Sequence, residues 1–158
     1  MFDDLKKIAK KFTKLNVDEL AYKIARTKEH QFLVISLNTE GQPTSQLFNK
    51  GEDSFGVSLE SIGGGYSDYT KDIKQAKGQP IDRVTLKDTG KFYKTWIVVA
   101  YRGGFIMNAN PIKDEGPFQT DLFKEWGEDI VGLNEENLQI LINYYASKLV
   151  PEIQKNLI

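Results

Sequence analysis

The sequence predicts an α+β fold: a small antiparallel sheet with a central hairpin, packed by N- and C-terminal helices, with a long loop or arm. Three observations carry this. The strongest helical periodicity lies toward the two ends of the chain. The β-rich apolar runs gather in the middle, on either side of Gly103-Gly104. Helices and strands do not alternate as they would in a parallel α/β sheet. The 158 residues are the size of one domain, 1–158, and can bury about two-thirds of the unfolded surface without disulfides or metals. Such a domain exposes roughly 8,000 Å² when folded.

Leu5, Ile8, Ala9, Phe12 and Leu15 repeat at helical spacing, with Lys6, Lys7, Lys10, Lys11 and Lys14 on the other face. Asp3 and Asp4 at the positive end of the dipole suit a helix over 3–15. Asn16, with Glu19 three residues on, opens a second helix through Val17, Leu20, Ala21 and Ile24, so 1–27 is helical. The run Phe32–Leu37 is β-rich and apolar; periodicity alone does not separate strand from helix over 28–37, and composition favours strand. Segment 41–65 is polar and rich in breakers, which reads as a loop or arm, with Gly63-Gly64-Gly65 as a hinge and not a phosphate loop. A short helix follows over 66–77, capped by Ser67 and stopped by Gly78-Gln79-Pro80. Strands and the hairpin occupy 84–107: Val84 and Leu86 alternate with polar residues, and Trp96–Tyr101 and Phe105–Met107 flank the Gly-Gly pair. Asp114-Glu115, between two prolines, reads as a solvated turn. The C-terminal helices fill 119–158: a short one around Asp121–Trp126, then a long one capped near Asn134, with a break, kink or fresh first turn at Pro151.

Composition narrows the chemistry. Twenty-one basic residues against twenty-two acidic ones leave a net charge of −1, too little for a whole-surface field that collects nucleic acid or anionic lipid. With no cysteine and one histidine, thiolate zinc, iron–sulfur, cysteine-nucleophile and two-histidine metal sites are excluded. No apolar run reaches membrane-span length, and Met1-Phe2-Asp3-Asp4 is unlike a signal peptide. His30, beside an apolar run, reads as a capping or buried residue. Asp53, Asp68, Asp72, Asp82 and Asp88 form no metal-binding loop. Catalytic, cofactor and metal residues are therefore expected to be absent, and the chain is expected not to be an enzyme.

Asp88-Thr89-Gly90 also occurs in aspartic proteases, where paired carboxylates share a proton, but there Ser or Thr follows and here Lys91 does. A hydrolase using Asp88 is thus the weakest reading. A turn explains the tripeptide more simply: side-chain oxygens of Asp88 and Thr89 accept from following N–H groups, and Gly90 takes a positive φ. Tyr66, Tyr69, Phe92, Tyr93, Trp96 and Tyr101 lie near Lys87, Lys91, Lys94 and Arg102, and this allows an alternative: a small nucleic-acid-binding domain using a Lys/aromatic surface around 87–102.

The segment from Val84 through Trp96 resembles the signature of the tail-completion proteins of tailed bacteriophages, also labelled neck, minor tail or virion-morphogenesis proteins. That signature is a Leu, one or two residues, Asp-Thr-Gly, a bulky residue, then Ser and an apolar residue opening a long strand. Leu86, Asp88, Thr89 and Gly90 match it; Phe92 stands for the bulky residue, and Thr95-Trp96 replace the usual Ser and Ile or Phe. Tyr66-Ser67-Asp68-Tyr69-Thr70, Lys74 and Lys77-Gly78-Gln79-Pro80 resemble a stretch that precedes the signature in members from Bacteroides-type phages. The resemblance runs over about 44–107. It implies a structural virion protein forming a ring at the head–tail junction or tail end, joining connector to tail. The implied partners are further copies of itself and neighbouring portal, connector or tail proteins, with no cofactor and no membrane; nucleic acid would be met only in the channel lumen. The implied location is the virion, and the host cytoplasm during assembly.

Overall fold

A computed structural model describes residues 2–115 and 118–157. The chain is a small α+β fold with eight α-helices, two short turns of π and 3-10 helix, and two separate two-stranded antiparallel sheets among the described residues. Helix α1 (Phe2–Lys14) carries the lysine face on its exposed side; the side chains of Ile8 and Phe12, assigned above to its apolar face, lie outside the described residues. Helix α2 (Val17–Ala25) starts at Asn16, whose side chain accepts from the Glu19 N–H at 2.9 Å.

Residues 28–37 are helix, not strand. Helix α3 (Lys28–Asn38) is capped by Thr27, which accepts from the His30 N–H at 3.2 Å. His30, Val34, Leu37 and Asn38 form the buried stripe while Phe32 points to solvent, 70% exposed. The buried face thus contains polar residues and the exposed face an aromatic one, which erased the amphipathic pattern from the sequence.

Segment 41–65 packs on the body instead of standing away from it. It contains a π-helical turn (Gln46–Lys50), a Glu52–Ser58 bridge and a one-turn helix α4 (Leu59–Gly63), and both Leu47 and Leu59 are fully buried. Asp53 closes its tight loop by accepting from the Phe55 and Val57 N–H groups, both at 2.9 Å. Gly63 is a packing glycine and no hinge: a Cβ there would stand 2.6 Å from the Trp126 ring. Helix α5 (Asp68–Ala76) begins at Ser67 as expected, with the Thr70 N–H donating to it at 3.2 Å.

Val84–Lys87 has no regular secondary structure and belongs to no sheet, so the strands begin later than expected. After the one-turn helix α6 (Lys91–Lys94), β1 (Ile97–Tyr101) and β2 (Gly104–Asn108) form the predicted hairpin, pairing Val99 with Ile106. The expected solvated turn at Asp114-Glu115 is instead part of a second ribbon, β3 (Ile112–Glu115) with β4 (Phe118–Asp121), in which Asp114 faces Gln119. Helix α7 (Leu122–Trp126) is capped by Asp121, and α8 (Glu135–Leu157) by Asn134, which accepts from the Asn137 N–H at 3.0 Å. Pro151 neither breaks α8 nor restarts it: helical geometry continues through it.

Two apolar clusters form the core. Leu47, Leu59, Val84, Phe92, Trp96, Ala109, Leu122 and Ile130 make the larger; Val34, Val98 and Leu141 make the smaller, between α3, the hairpin and α8. A buried amide network pins the start of α8. Asn137 Nδ2 donates to the Leu37 and Thr44 carbonyls at 3.0 Å each, and Gln46 Oε1 accepts from the Asn134 N–H at 2.7 Å. Losing any of these partners would leave a buried polar group unpaired, at about 1–3 kcal/mol each.

Candidate functional site

The segment 84–96 is the best-defined feature that the sequence singles out, and its polar groups are used by the fold itself. Thr85 is fully buried and held by two tyrosines. Its N–H donates to Tyr66 Oη at 2.8 Å, and its carbonyl accepts from the Tyr93 hydroxyl. Burial, with smaller contributions from Tyr66 and Glu40, drives the Tyr93 hydroxyl well above the usual tyrosine range, so it stays protonated as a donor. Leu86 has φ +54°, the one non-glycine residue at positive φ among the described residues. A branched side chain is costly there, by about 1–2 kcal/mol, and the surrounding contacts must hold it.

Those contacts come from α5. Lys74 is buried to 5% exposure, a place a lysine rarely takes. Its ammonium donates to the Lys87 carbonyl at 2.5 Å and Gln79 Oε1 at 3.1 Å, and lies 4.7 Å from the centre of the Tyr66 ring. Gln79 Nε2 in turn donates to the Asp88 carbonyl at 2.6 Å. An ammonium buried among a carbonyl, an amide oxygen and a ring face is compensated, so Lys74 works as an internal clamp on the turn.

The six residues expected to make the turn are brought together in one stretch of the fold. Gly90 is left-handed, φ +77°, and heads the short helix α6. Thr89 Oγ1 accepts from the Lys91 N–H at 3.4 Å, as expected, and the Asp88 carboxylate pairs with Lys77, just past the end of α5. Phe92 and Trp96 enter the larger core cluster edge to face, 5.8 Å apart at 68°. The sequence places Lys74 and Gln79 in the resembling stretch, Thr85 in the signature segment and Tyr93 on the Lys/aromatic surface, but it does not show that they clamp the turn. The first two fall on or beside an amphipathic helix where solvent exposure is the default, and the last two sit in apparent strand and surface patterns.

Beside the turn lies a groove of about 460 Å³ between α5, residues 86–88, the β3–β4 ribbon and α7. Its floor is Leu86, Leu122 and Trp126, and its rim carries Lys77, Lys113, Asp88 and Glu125. The rim charges are mixed, and Lys77 and Asp88 already neutralise each other. Among the described residues no three His, Asp or Glu side chains converge as a metal site would require, and no helix is long and apolar enough to cross a membrane.

His30 is the other titratable group of interest. It is fully buried, with Nε2 3.1 Å from the Tyr145 hydroxyl and the Phe105 ring at 5.0 Å. Burial lowers its pKa, against a smaller opposing pull from the Ala25 carbonyl, and Nδ1 has no partner at hydrogen-bond geometry. The ring is walled off from the groove and faces apolar and aromatic neighbours. The aromatic members of the 87–102 surface are also mostly internal: Phe92 and Trp96 are buried, and Tyr93 is tied to Thr85, which leaves Tyr101 at 49% exposure. No protein-family model, curated protein or solved structure matches the chain.

Proposed function

We propose that the chain is a structural protein of a tailed-phage or prophage virion, forming a ring at the head–tail junction or tail end and joining connector to tail, without enzymatic activity. The observation that supports this most is what the matching motif is used for. Leu86, Asp88, Thr89 and Gly90 build a clamped turn that drives Phe92 and Trp96 into the core and launches the hairpin, and Asp88 pairs with Lys77. A scaffold motif of this kind suits a protein that works through surfaces. A second observation agrees: the folded chain exposes 10,156 Å², well above the roughly 8,000 Å² of a closed domain of this length, as a chain that completes its burial on assembly would.

The partners in this reading are other copies of the chain and the adjoining portal, connector or tail proteins. Particles produced without the protein provide the test. Untailed heads beside free tails in micrographs are the expected outcome, together with the protein in the mass profile of purified virions. Normally joined particles, or virions lacking the protein, refute the proposal.

A further inference from the structure

Charge is spread unevenly along this chain. Between Leu5 and Asn16 stand Lys6, Lys7, Lys10, Lys11 and Lys14 and no carboxylate, while outside that stretch sixteen basic residues face twenty-two acidic ones. A near-neutral protein thus carries one concentrated basic stretch, and a local patch can collect a polyanion that the whole surface cannot.

The structure gathers that charge on one side of α1, where all five lysines are exposed. At about 100° per residue they fall within an arc of about 140°, in two rows: Lys6, Lys10 and Lys14 in one, Lys7 and Lys11 in the other. The longer row covers about 12 Å of helix axis. Like charges three and four residues apart weaken a helix, so this arrangement works against α1 until negative charge is brought to it. Elsewhere cations are interspersed with carboxylates, as where Lys50 meets Glu136, Lys87 meets Glu40 and Lys148 meets Glu29.

The geometry also selects the polyanion. A DNA duplex carries one charge per ~1.7 Å of axis, so a row of this length lies opposite about seven phosphates in any register. Lysine ammoniums are point charges, which hold phosphate without reading bases. An anionic bilayer would attract the same lysines, but a helix settles there by burying an apolar side. Helix α1 packs against α8, and the apolar residues it exposes among the described ones are Leu5 and Ala9, too little to insert. We infer that the lysine face of α1 binds the phosphate backbone of duplex DNA without regard to sequence. This surface is separate from the Lys/aromatic stretch 87–102, and the inference does not depend on the phage role.

Fluorescence anisotropy of the full chain with a labelled duplex of about 20 base pairs tests this. With up to five phosphates neutralised, log K should fall against log salt with a slope of about −4, a loss on the order of 10²-fold between about 50 and about 200 mM. Lys6→Gln, Lys10→Gln and Lys14→Gln together remove the longer row and keep helix propensity. That triple variant should bind at least about tenfold more weakly at low salt, with a slope near about −2. Lys6→Gln and Lys14→Gln alone should each flatten the slope by about 0.9, which decides the matter if the triple variant loses its helix by circular dichroism. Lys91→Gln with Lys94→Gln, exposed on α6, should change nothing. The inference is overturned by a wild type that leaves the duplex free at ~100 µM, the weak end of non-specific binding. A triple variant that binds as the wild type does, or an equal loss in the α6 pair, overturns it too. So does preference, at equal charge, for phosphatidylglycerol vesicles or poly-glutamate over the duplex, since either assigns the face to a different partner.

Discussion

Two adjoining stretches of this chain, 84–96 and 97–106, face opposite problems. In the first, the polar groups of a strained turn are met from within, by Tyr66, Tyr93, Lys74 and Gln79. In the second, four large apolar side chains are left half outside. The turn spends its interactions on holding the fold; the hairpin beyond it leaves an apolar face uncovered. Substitutions in the first stretch should therefore act strongly on stability, and those on the outer face of the second should change it little. The contrast teaches that neighbouring stretches of one chain can differ completely in where their side chains are used, the first inside the fold and the second at its surface.

The largest expected break is at Phe92. Truncation to alanine removes a ring that is 93% buried in the edge-to-face pair with Trp96 and should cost about 3–5 kcal/mol. In a domain of this length each kcal/mol lowers Tm by about 2–4 °C, so the melt should fall by roughly 6–20 °C. A loss under about 1 kcal/mol would mean that the turn does not aim its aromatics where the core needs them.

Gly90→Val comes next. Nothing crowds the position, since an added Cβ would meet only the end of the Lys87 side chain at 4.0 Å, so the penalty is purely conformational. A β-branched residue at φ +77° should cost about 1–3 kcal/mol, read by urea unfolding. Gly90→Asn, which tolerates the left-handed region, should recover much of it. Equal stability of the valine and asparagine variants would refute the strained-turn account.

A third measurement sharpens the comparison from the hairpin's inner side, where Phe105 meets His30. The folded pKa of His30 lies below its ordinary 6.5 because burial disfavours the cation. The unfolded chain therefore binds the proton first. Stability from this group is complete above about pH 6.5 and declines as pH falls toward the folded pKa, at no more than about 1.4 kcal/mol per pH unit. Urea midpoints for His30→Gln should show a shallower decline between pH 7 and 5 than the wild type. Parallel profiles would assign the acid sensitivity to other groups.

How much of this was legible in the sequence depended on how local the cause was. Asn16, Ser67, Asp121 and Asn134 each satisfy N–H groups two or three residues ahead, and all four helix starts could be read from the residues themselves. The left-handed Gly90 and the Gly103-Gly104 hairpin were legible for the same reason. Helix α3 was hidden because His30, Ser36 and Asn38 are buried while Phe32 is not, and only the tertiary partners of those residues explain it. The β3–β4 ribbon was hidden because Lys113, Asp114, Gln119 and Thr120 offer no apolar alternation. Val84–Lys87 misled in the other direction. Its alternation is strand-like, yet its backbone bonds go to side chains of Tyr66, Tyr93 and Lys74 and not to a neighbouring strand. Long-range side-chain clamps leave no periodic trace.

The smallest expected effect is the most informative about function. Asp88 pairs with Lys77, but the two side chains are 27% and 43% exposed, so solvent and salt screen the attraction. Asp88→Asn keeps an oxygen that can accept from the ammonium and leaves untouched the Asp88 carbonyl held by Gln79. The cost should lie between zero and about 1 kcal/mol, shrinking further in high salt. In a structural protein, particle yield should then follow stability: Gly90→Val impaired, Asp88→Asn close to wild type. Chemistry at Asp88 demands the reverse order, because an amide can neither take up a proton as a carboxylate does nor attack as one. Melts and virion yields measured on both variants therefore decide between the two readings. An Asp88→Asn protein that folds as well as the wild type yet leaves heads and tails unjoined would take the turn out of the scaffold and return it to the list of reactive sites.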